Sequence, residues 1–119
     1  MDYPADWATA QNNLGNAYGS LPTGDRSENL KSAIACYQAA LRVRTEKDHP
    51  AYWAGTQNNL GTAYEDLPIG DPAENLRLAA ACFSNALKIY IEAGYPEDHA
   101  RALGNLRRVE DRLKGLEGK

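Results

Sequence analysis

The sequence predicts an all-α protein in which helical hairpins stack side by side into a solenoid. Three observations lead to this fold class. The 119-residue chain repeats itself every 46 residues, its apolar residues recur at helical intervals, and proline and glycine interrupt it at corresponding positions of each repeat. There is no strand-like alternation of apolar and polar residues.

The repeat runs without a gap. QNNLGNAY at residues 11–18 returns as QNNLGTAY at residues 57–64, and 24 of the 46 positions are identical when residues 4–49 are aligned with residues 50–95. A third start, at Pro96, fades after ten residues or so. The single domain, residues 1–119, is therefore divided into repeat 1 (4–49), repeat 2 (50–95) and a capping half repeat (96–119).

Each repeat predicts a shorter helix, a turn and a longer helix. In the turns LPTGDRSENL and LPIGDPAENL, proline and glycine end the first helix, while Asp25 and Asp71 each stand three residues before a glutamate. This is a variant of the capping box, in which the aspartate accepts hydrogen bonds from free backbone N–H groups. The predicted helices are 5–19, 26–46, 51–65, 72–92 and 97–115.

Two glycines fall inside first helices, where glycine costs about 1 kcal/mol relative to alanine. Gly15 and Gly61 occupy equivalent positions. We predict that they let the second helix approach closely and make room for the rings of Tyr37 and Phe83. The alternative is that a ligand touches the bare backbone.

Composition excludes several functional classes. A net charge of −3 and a pI near 5.3 argue against a nucleic-acid binder. No apolar run approaches the ~20 residues that span a bilayer, and the acidic start MDYPADW is unlike a signal peptide. Cys36 and Cys82 lie in successive repeats, too far apart for a disulfide, which predicts a reducing, cytoplasmic location.

Catalytic and metal chemistry lack a residue set. His49 and His99 have no partner at metal-ligand spacing, and no serine or cysteine comes with an evident base. No glycine-rich phosphate loop is present. We therefore predict a protein that is not an enzyme and that needs no cofactor.

The helical positions resemble the tetratricopeptide repeat (TPR) family along the whole chain. The shared first-helix positions are Leu14, Gly15 and Tyr18, then Leu60, Gly61 and Tyr64; the second-helix positions are Ala33, Tyr37 and Ala40, then Ala79, Phe83 and Ala86. The usual unit has 34 residues, so this 46-residue unit is similar to a longer, bacterial variety found in arrays. The resemblance implies a right-handed superhelical solenoid of antiparallel hairpins, with residues 97–115 as its capping helix.

The resemblance also implies where a ligand would bind, since the first helices of this family line a concave groove that receives a peptide. Amide side chains suit a peptide backbone and arginine suits a carboxylate. The candidate groove residues are Asn12, Asn13, Asn16, Asn58, Asn59, Thr62, Arg101 and Asn105. The two-cation carboxylate clamp of some family members is incomplete here, because Asn12 and Asn105 stand where basic residues would be.

Some alternatives stay open. Asn13 and Asn59 either line the groove or bond to neighbouring helix backbone and hold the repeats in register. Glu65 and Asp66 form either a solvated helix end or a receptor for a basic ligand residue. The sequence favours a non-catalytic module that binds a peptide or partner helix, with no nucleic acid or membrane partner. The alternatives are a scaffold that self-associates through its repeat ends and the regulatory arm of a larger effector protein.

Overall fold

A computed structural model describes residues 3–118, and the side chains of residues 4–118. Within that range the chain forms helices and no strand, which confirms the all-α prediction. Predictions about Met1, Asp2 and Lys119 lie outside the described residues. The helices are α1 (Tyr3–Ser20), α2 (Arg26–Val43), α3 (Pro50–Asp66), α4 (Pro72–Ala93) and α5 (Pro96–Glu117).

The predicted helix starts are confirmed by their caps. Asp25 accepts a hydrogen bond from the backbone N–H of Glu28 at 3.2 Å, and Asp71 accepts one from that of Ala73 at 3.1 Å. Helices α3, α4 and α5 begin at prolines, whose missing N–H costs nothing in the first turn. Both second helices therefore begin with an aspartate cap, although Asp25 caps the third residue after it and Asp71 the second.

Helix α2 ends three residues earlier than predicted, because Arg44 leaves the helix in an extended conformation. Its guanidinium then donates to the carbonyl of Ala5 at 3.2 Å and to the hydroxyl of Thr9 at 3.1 Å. It also lies 4.2 Å from the ring centre of Tyr52, within the range of a cation–π contact. Contacts to α1 and α3 thus replace a last helical turn. Helix α5 runs two residues beyond its predicted end.

The helices pack in chain order, each against the next, and α1 also touches α3. The molecule measures 53 × 37 × 21 Å, so its thinnest dimension is about two helix diameters. One apolar cluster joins α2 to α3 and α4, and includes Leu30, Ile34, Tyr37, Leu60 and Cys82. Repeat 1 and repeat 2 therefore share a core.

The C-terminal helix α5 packs along α4. Val109 is fully buried, and Leu106 and Leu113 pack beside it against the α4 cluster. Leu116, one turn beyond Leu113, is 41% exposed. The covering contact thus ends one turn before the helix does.

The prediction about the two helical glycines is confirmed. A Cβ atom on Gly15 would lie 2.6 Å from Cε1 of Tyr37, and one on Gly61 would lie 2.7 Å from Cε1 of Phe83. Such distances are shorter than real carbon contacts. The bare backbone of each first helix therefore seats a ring of its paired second helix.

Both cysteines are free and buried, as predicted. Burial raises the pKa of both thiols, that of Cys82 to about 12. They act as small apolar core residues.

Candidate functional site

A concavity of about 300 Å³ lies between α1 and α3, and we call it the α1–α3 groove. Both first helices supply its walls, and α2 supplies its floor. Its lining consists of Asn16, Gly19 and Ser20 on α1, Asn59, Thr62, Ala63 and Asp66 on α3, and Arg26, Leu30, Ala33 and Tyr37 on α2. Three of the eight predicted groove residues, Asn16, Asn59 and Thr62, thus meet in one place.

The α1 wall offers a hydrogen-bond donor. Asn16 is exposed, and its Oδ1 accepts a hydrogen bond of 2.6 Å from the hydroxyl of Tyr37. Burial raises the pKa of Tyr37 to about 12, so this phenol stays protonated and donating at neutral pH. With its oxygen accepting from Tyr37, Asn16 keeps its Nδ2 group as a hydrogen-bond donor at the groove lining.

The α3 wall offers acceptors. The Asn59 Nδ2 group donates to Oδ1 of Asn12 at 3.3 Å, which leaves the Oδ1 of Asn59 as the acceptor. The hydroxyl of Thr62 donates to the backbone carbonyl of Asn58 at 3.2 Å, so its oxygen can still accept. The two walls therefore carry different hydrogen-bonding groups, a donor on α1 and acceptors on α3.

Opposite charges stand at one end of the groove. Arg26 lies 3.7 Å from Asp66, and both side chains are about half exposed. Arg26 also donates to the backbone carbonyl of Gly19. Burial, followed by the nearby charge of Glu65, raises the pKa of Asp66. The sequence analysis did not assign Arg26 to the groove. The feature that could have indicated it is the difference between the repeats at this position, since repeat 2 has Pro72 where repeat 1 has Arg26.

Four of the predicted groove residues form an asparagine ladder between first helices. Asn12 on α1 accepts from Asn59 on α3 at 3.3 Å, and Asn58 on α3 accepts from Asn105 on α5 at 3.2 Å. The hydroxyl of Thr56 also donates to Asn12, at 3.0 Å. Asn59 therefore bonds to a neighbouring first helix, but its partner is the Asn12 side chain and not the helix backbone. Asn59 also lines the groove.

The remaining two predicted residues lie elsewhere. Asn13 is exposed on α1 but does not line the groove. Arg101 is paired with Asp98, one turn earlier on α5, at 2.7 Å. The structure therefore does not bring either residue to the other candidates.

Glu65 is not a solvated helix end, which was one of the two roles that the sequence left open for it. Its side chain is only 6% exposed and receives two hydrogen bonds from Arg108, at 2.8 and 2.7 Å, and one from Arg112 at 3.2 Å. The hydrogen bonds from Arg108, with help from Arg112, lower the pKa of Glu65.

The Glu65 cluster, formed by Glu65, Arg108 and Arg112, occupies the position that corresponds to the α1–α3 groove one repeat earlier. By repeat alignment, Arg108 and Arg112 correspond to Thr62 and Asp66, and Glu65 corresponds to Gly19. A cavity of about 340 Å³ is lined by Glu65 at the end of α3, by the first turns of α4 and by Arg112 on α5. The alignment was the signal that could have revealed the cluster.

The described residues were also searched for metal-binding groups and for membrane-spanning helices. Across residues 3–118, no group of three or more His, Cys, Asp or Glu side chains is placed to hold a metal ion. In the same range, no helix is both long enough and apolar enough to cross a bilayer. Comparison with protein-family models, with curated proteins and with solved structures returned no match to this chain.

Proposed function

We propose that this protein is a non-catalytic interaction module that binds a short peptide segment of a partner protein in the α1–α3 groove. In this proposal the helix pairs form a right-handed solenoid of TPR type. The 46-residue repeat and the packing of each helix on the next support that architecture. The two buried free thiols suit a reducing compartment such as the cytoplasm.

The observation that carries the proposal is the placement of hydrogen-bonding groups on opposite walls. Asn16 presents a donor on α1, while Asn59 and Thr62 present acceptors on α3. A peptide group carries one acceptor and one donor that point in opposite directions, so a chain lying in the groove can satisfy both walls. The amides need no rearrangement, because Tyr37 and Asn12 already hold them.

An extended ligand fits this pattern better than a helix does. Within a helix the backbone N–H and C=O groups are already paired with each other, so the groove amides would have nothing to bond. A volume of about 300 Å³ accommodates only a few residues, at the low end of ligand pockets. We therefore expect modest affinity, roughly micromolar for an isolated peptide.

A peptide-library screen tests the proposal. Thr62→Arg fills the groove from the α3 wall and should weaken every genuine hit more than tenfold. Asn16→Ala removes the donor and should cost roughly fivefold, the equivalent of one hydrogen bond of about 1 kcal/mol. The matched control is Ser84→Arg, which adds the same side chain at an exposed position of α4 outside the groove.

All variants must keep their helical content by circular dichroism. Hits that bind the Thr62→Arg variant as tightly as the original chain would refute the proposal. So would equal losses in the Thr62→Arg and Ser84→Arg variants, because these would show a loss of charge balance rather than of a groove.

A further inference from the structure

The turn between α4 and α5 carries an exposed apolar patch. Ile91, near the end of α4, is 60% exposed, and Tyr95, the residue before α5, is 44% exposed. With Pro96 and His99 they line a concavity of about 290 Å³, whose lining also includes the buried Tyr90. The rings of Tyr90 and Tyr95 meet edge to face, with their centres 6.3 Å apart. No other large apolar residue in the described part of the chain is as exposed as Ile91, so the patch is unusual for this surface.

An acidic concavity adjoins the apolar one. It measures about 210 Å³, and its lining consists of Tyr95, Pro96, Glu97 and Asp98. Asp98 is paired with Arg101 at 2.7 Å, whereas Glu97 is exposed and forms no ion pair with any residue that the structure describes. An acid in the first turn of α5 favours the helix dipole, but the dipole gives no reason for apolar side chains beside it. Because Tyr95 and Pro96 belong to both concavities, an apolar and a negative pocket lie side by side. We call residues 90–99 the α4–α5 corner.

The corresponding stretch of repeat 1 has a different character. Residues 44–53 read RTEKDHPAYW, and residues 90–99 read YIEAGYPEDH. Only two of these ten positions are identical, although 24 of 46 are identical over the whole repeat. The repeat 1 stretch has two basic and two acidic residues, whereas the α4–α5 corner has three acidic residues and no lysine or arginine. Both stretches connect a second helix to the next first helix, so that connection does not require the apolar and acidic residues of the corner.

We propose that the α4–α5 corner is a binding surface for a short basic segment of a partner protein, one that carries an apolar side chain next to a lysine or arginine. The apolar side chain enters the concavity beside Ile91, and the cation lies against the Tyr95 ring and the Glu97 carboxylate. An aromatic face and an unpaired carboxylate both attract a cation. A negative surface disfavours an acidic segment, so charge complementarity decides the class of partner. The corner shares no lining residue with the α1–α3 groove, so this inference does not rest on the peptide proposed for that groove.

The test is an amide chemical-shift titration of the labelled 119-residue chain with the capped peptide Ac-Arg-Leu-Leu-Arg-NH2. This peptide presents a cation beside a leucine in either chain direction. It is added to about 10 mM, because two small concavities give only millimolar affinity for an isolated segment. The proposal predicts saturable changes at Ile91, Tyr95 and Glu97. It also predicts a Kd roughly fivefold below that of the matched acidic peptide Ac-Glu-Leu-Leu-Glu-NH2.

Two substitutions separate the apolar and the acidic parts of the site. Ile91→Ser removes the exposed apolar side chain and Glu97→Gln removes the unpaired charge, and each should raise the Kd roughly threefold. The matched controls are Leu78→Ser on α4 and Glu110→Gln on α5, both exposed and outside the two concavities. These controls should leave the Kd unchanged. Because all four positions are exposed, every variant should keep its helical content by circular dichroism.

Several results would overturn the proposal. One is the absence of saturable changes at Ile91 and Tyr95, and another is an equal Kd for the basic and the acidic peptide. Equal effects of the two site variants and their controls would overturn it as well. Changes at Asn16 and Thr62 in place of the corner would assign the basic peptide to the α1–α3 groove. Shifts at the corner that grow with chain concentration before peptide is added would assign the surface to a second copy and overturn the stated partner.

Discussion

Replacing Gly61 by alanine tests whether α3 depends on a bare backbone where it meets α4. The added Cβ would lie 2.7 Å from Cε1 and 2.9 Å from Cδ1 of Phe83. The ring of Phe83 is fully buried, so it has no solvent to move into. The perturbation is therefore a methyl group forced into a packed core.

Two opposing terms set the magnitude. Alanine improves on glycine inside a helix by about 1 kcal/mol, whereas overpacking a core costs about 1–3 kcal/mol. The matched control, Gly104→Ala, carries only the first term, because Gly104 lies within α5 and its added Cβ would have no atom within 4 Å. The difference between the two variants thus isolates the overpacking cost. It should equal about 1–3 kcal/mol, or roughly 4–12 °C in Tm.

The assay is urea and thermal unfolding followed by circular dichroism. Gly104→Ala should raise the free energy of unfolding, and Gly61→Ala should lower it or leave it level. Phe83→Leu, which replaces the ring by a smaller branched chain, should make Gly61→Ala less costly than in the original chain, giving a favourable coupling in a double-mutant cycle. Equal stabilisation by both alanines would refute the reasoning about the ring.

Three further predictions concern a carboxylate, a thiol and the asparagine ladder. Glu65→Gln should lower the free energy of unfolding by about 1–2 kcal/mol at pH 7. Because the pKa of Glu65 is depressed in the folded chain, this loss of stability should shrink as the pH falls through that pKa. The control Glu74→Gln removes a carboxylate from an exposed i,i+3 pair and should change stability little. A loss in the Glu65→Gln variant that does not depend on pH would contradict the arginine contacts. The Cys82 thiol has a pKa near 12, so at pH 8 its thiolate fraction should be roughly a thousandfold lower than that of a thiol with a pKa of 9.0. Iodoacetamide should therefore label Cys82 only when denaturant unfolds the chain. Rapid labelling of Cys82 in the native chain would contradict its burial. Asn59→Ala should cost about 0.5–1.5 kcal/mol, measured by urea unfolding, and Asn13→Ala close to nothing; equal costs would contradict the ladder.

Repetition made the helices predictable, because each cue occurred twice. Proline, glycine and aspartate at fixed offsets located the helix starts, and the paired glycines identified the rings that fill their space. The end of α2 was missed because Arg44 is a good helix former by itself. It leaves the helix for contacts with α1 and α3, which no local pattern encodes.

The site was predictable only in outline. Asparagine can face a ligand or bridge two helices with the same side chain, and helix rotation decides between these roles. Asn16 faces the groove, while Asn12, four residues earlier, is engaged by α3. Arg26, Arg108 and Arg112 were overlooked because each stands where the repeats differ. Repeat 2 has Pro72 in place of Arg26, and it has Thr62 and Asp66 in place of the two arginines that bind Glu65.

The most direct test of the proposed groove is an amide chemical-shift titration of the labelled chain with the tightest peptide from the screen. The largest changes should fall on Asn16, including its side-chain amide, and on Thr62 and Arg26, while Ser84 on α4 stays unchanged. Changes confined to the second helices, with Asn16 and Thr62 unmoved, would contradict a peptide held between α1 and α3.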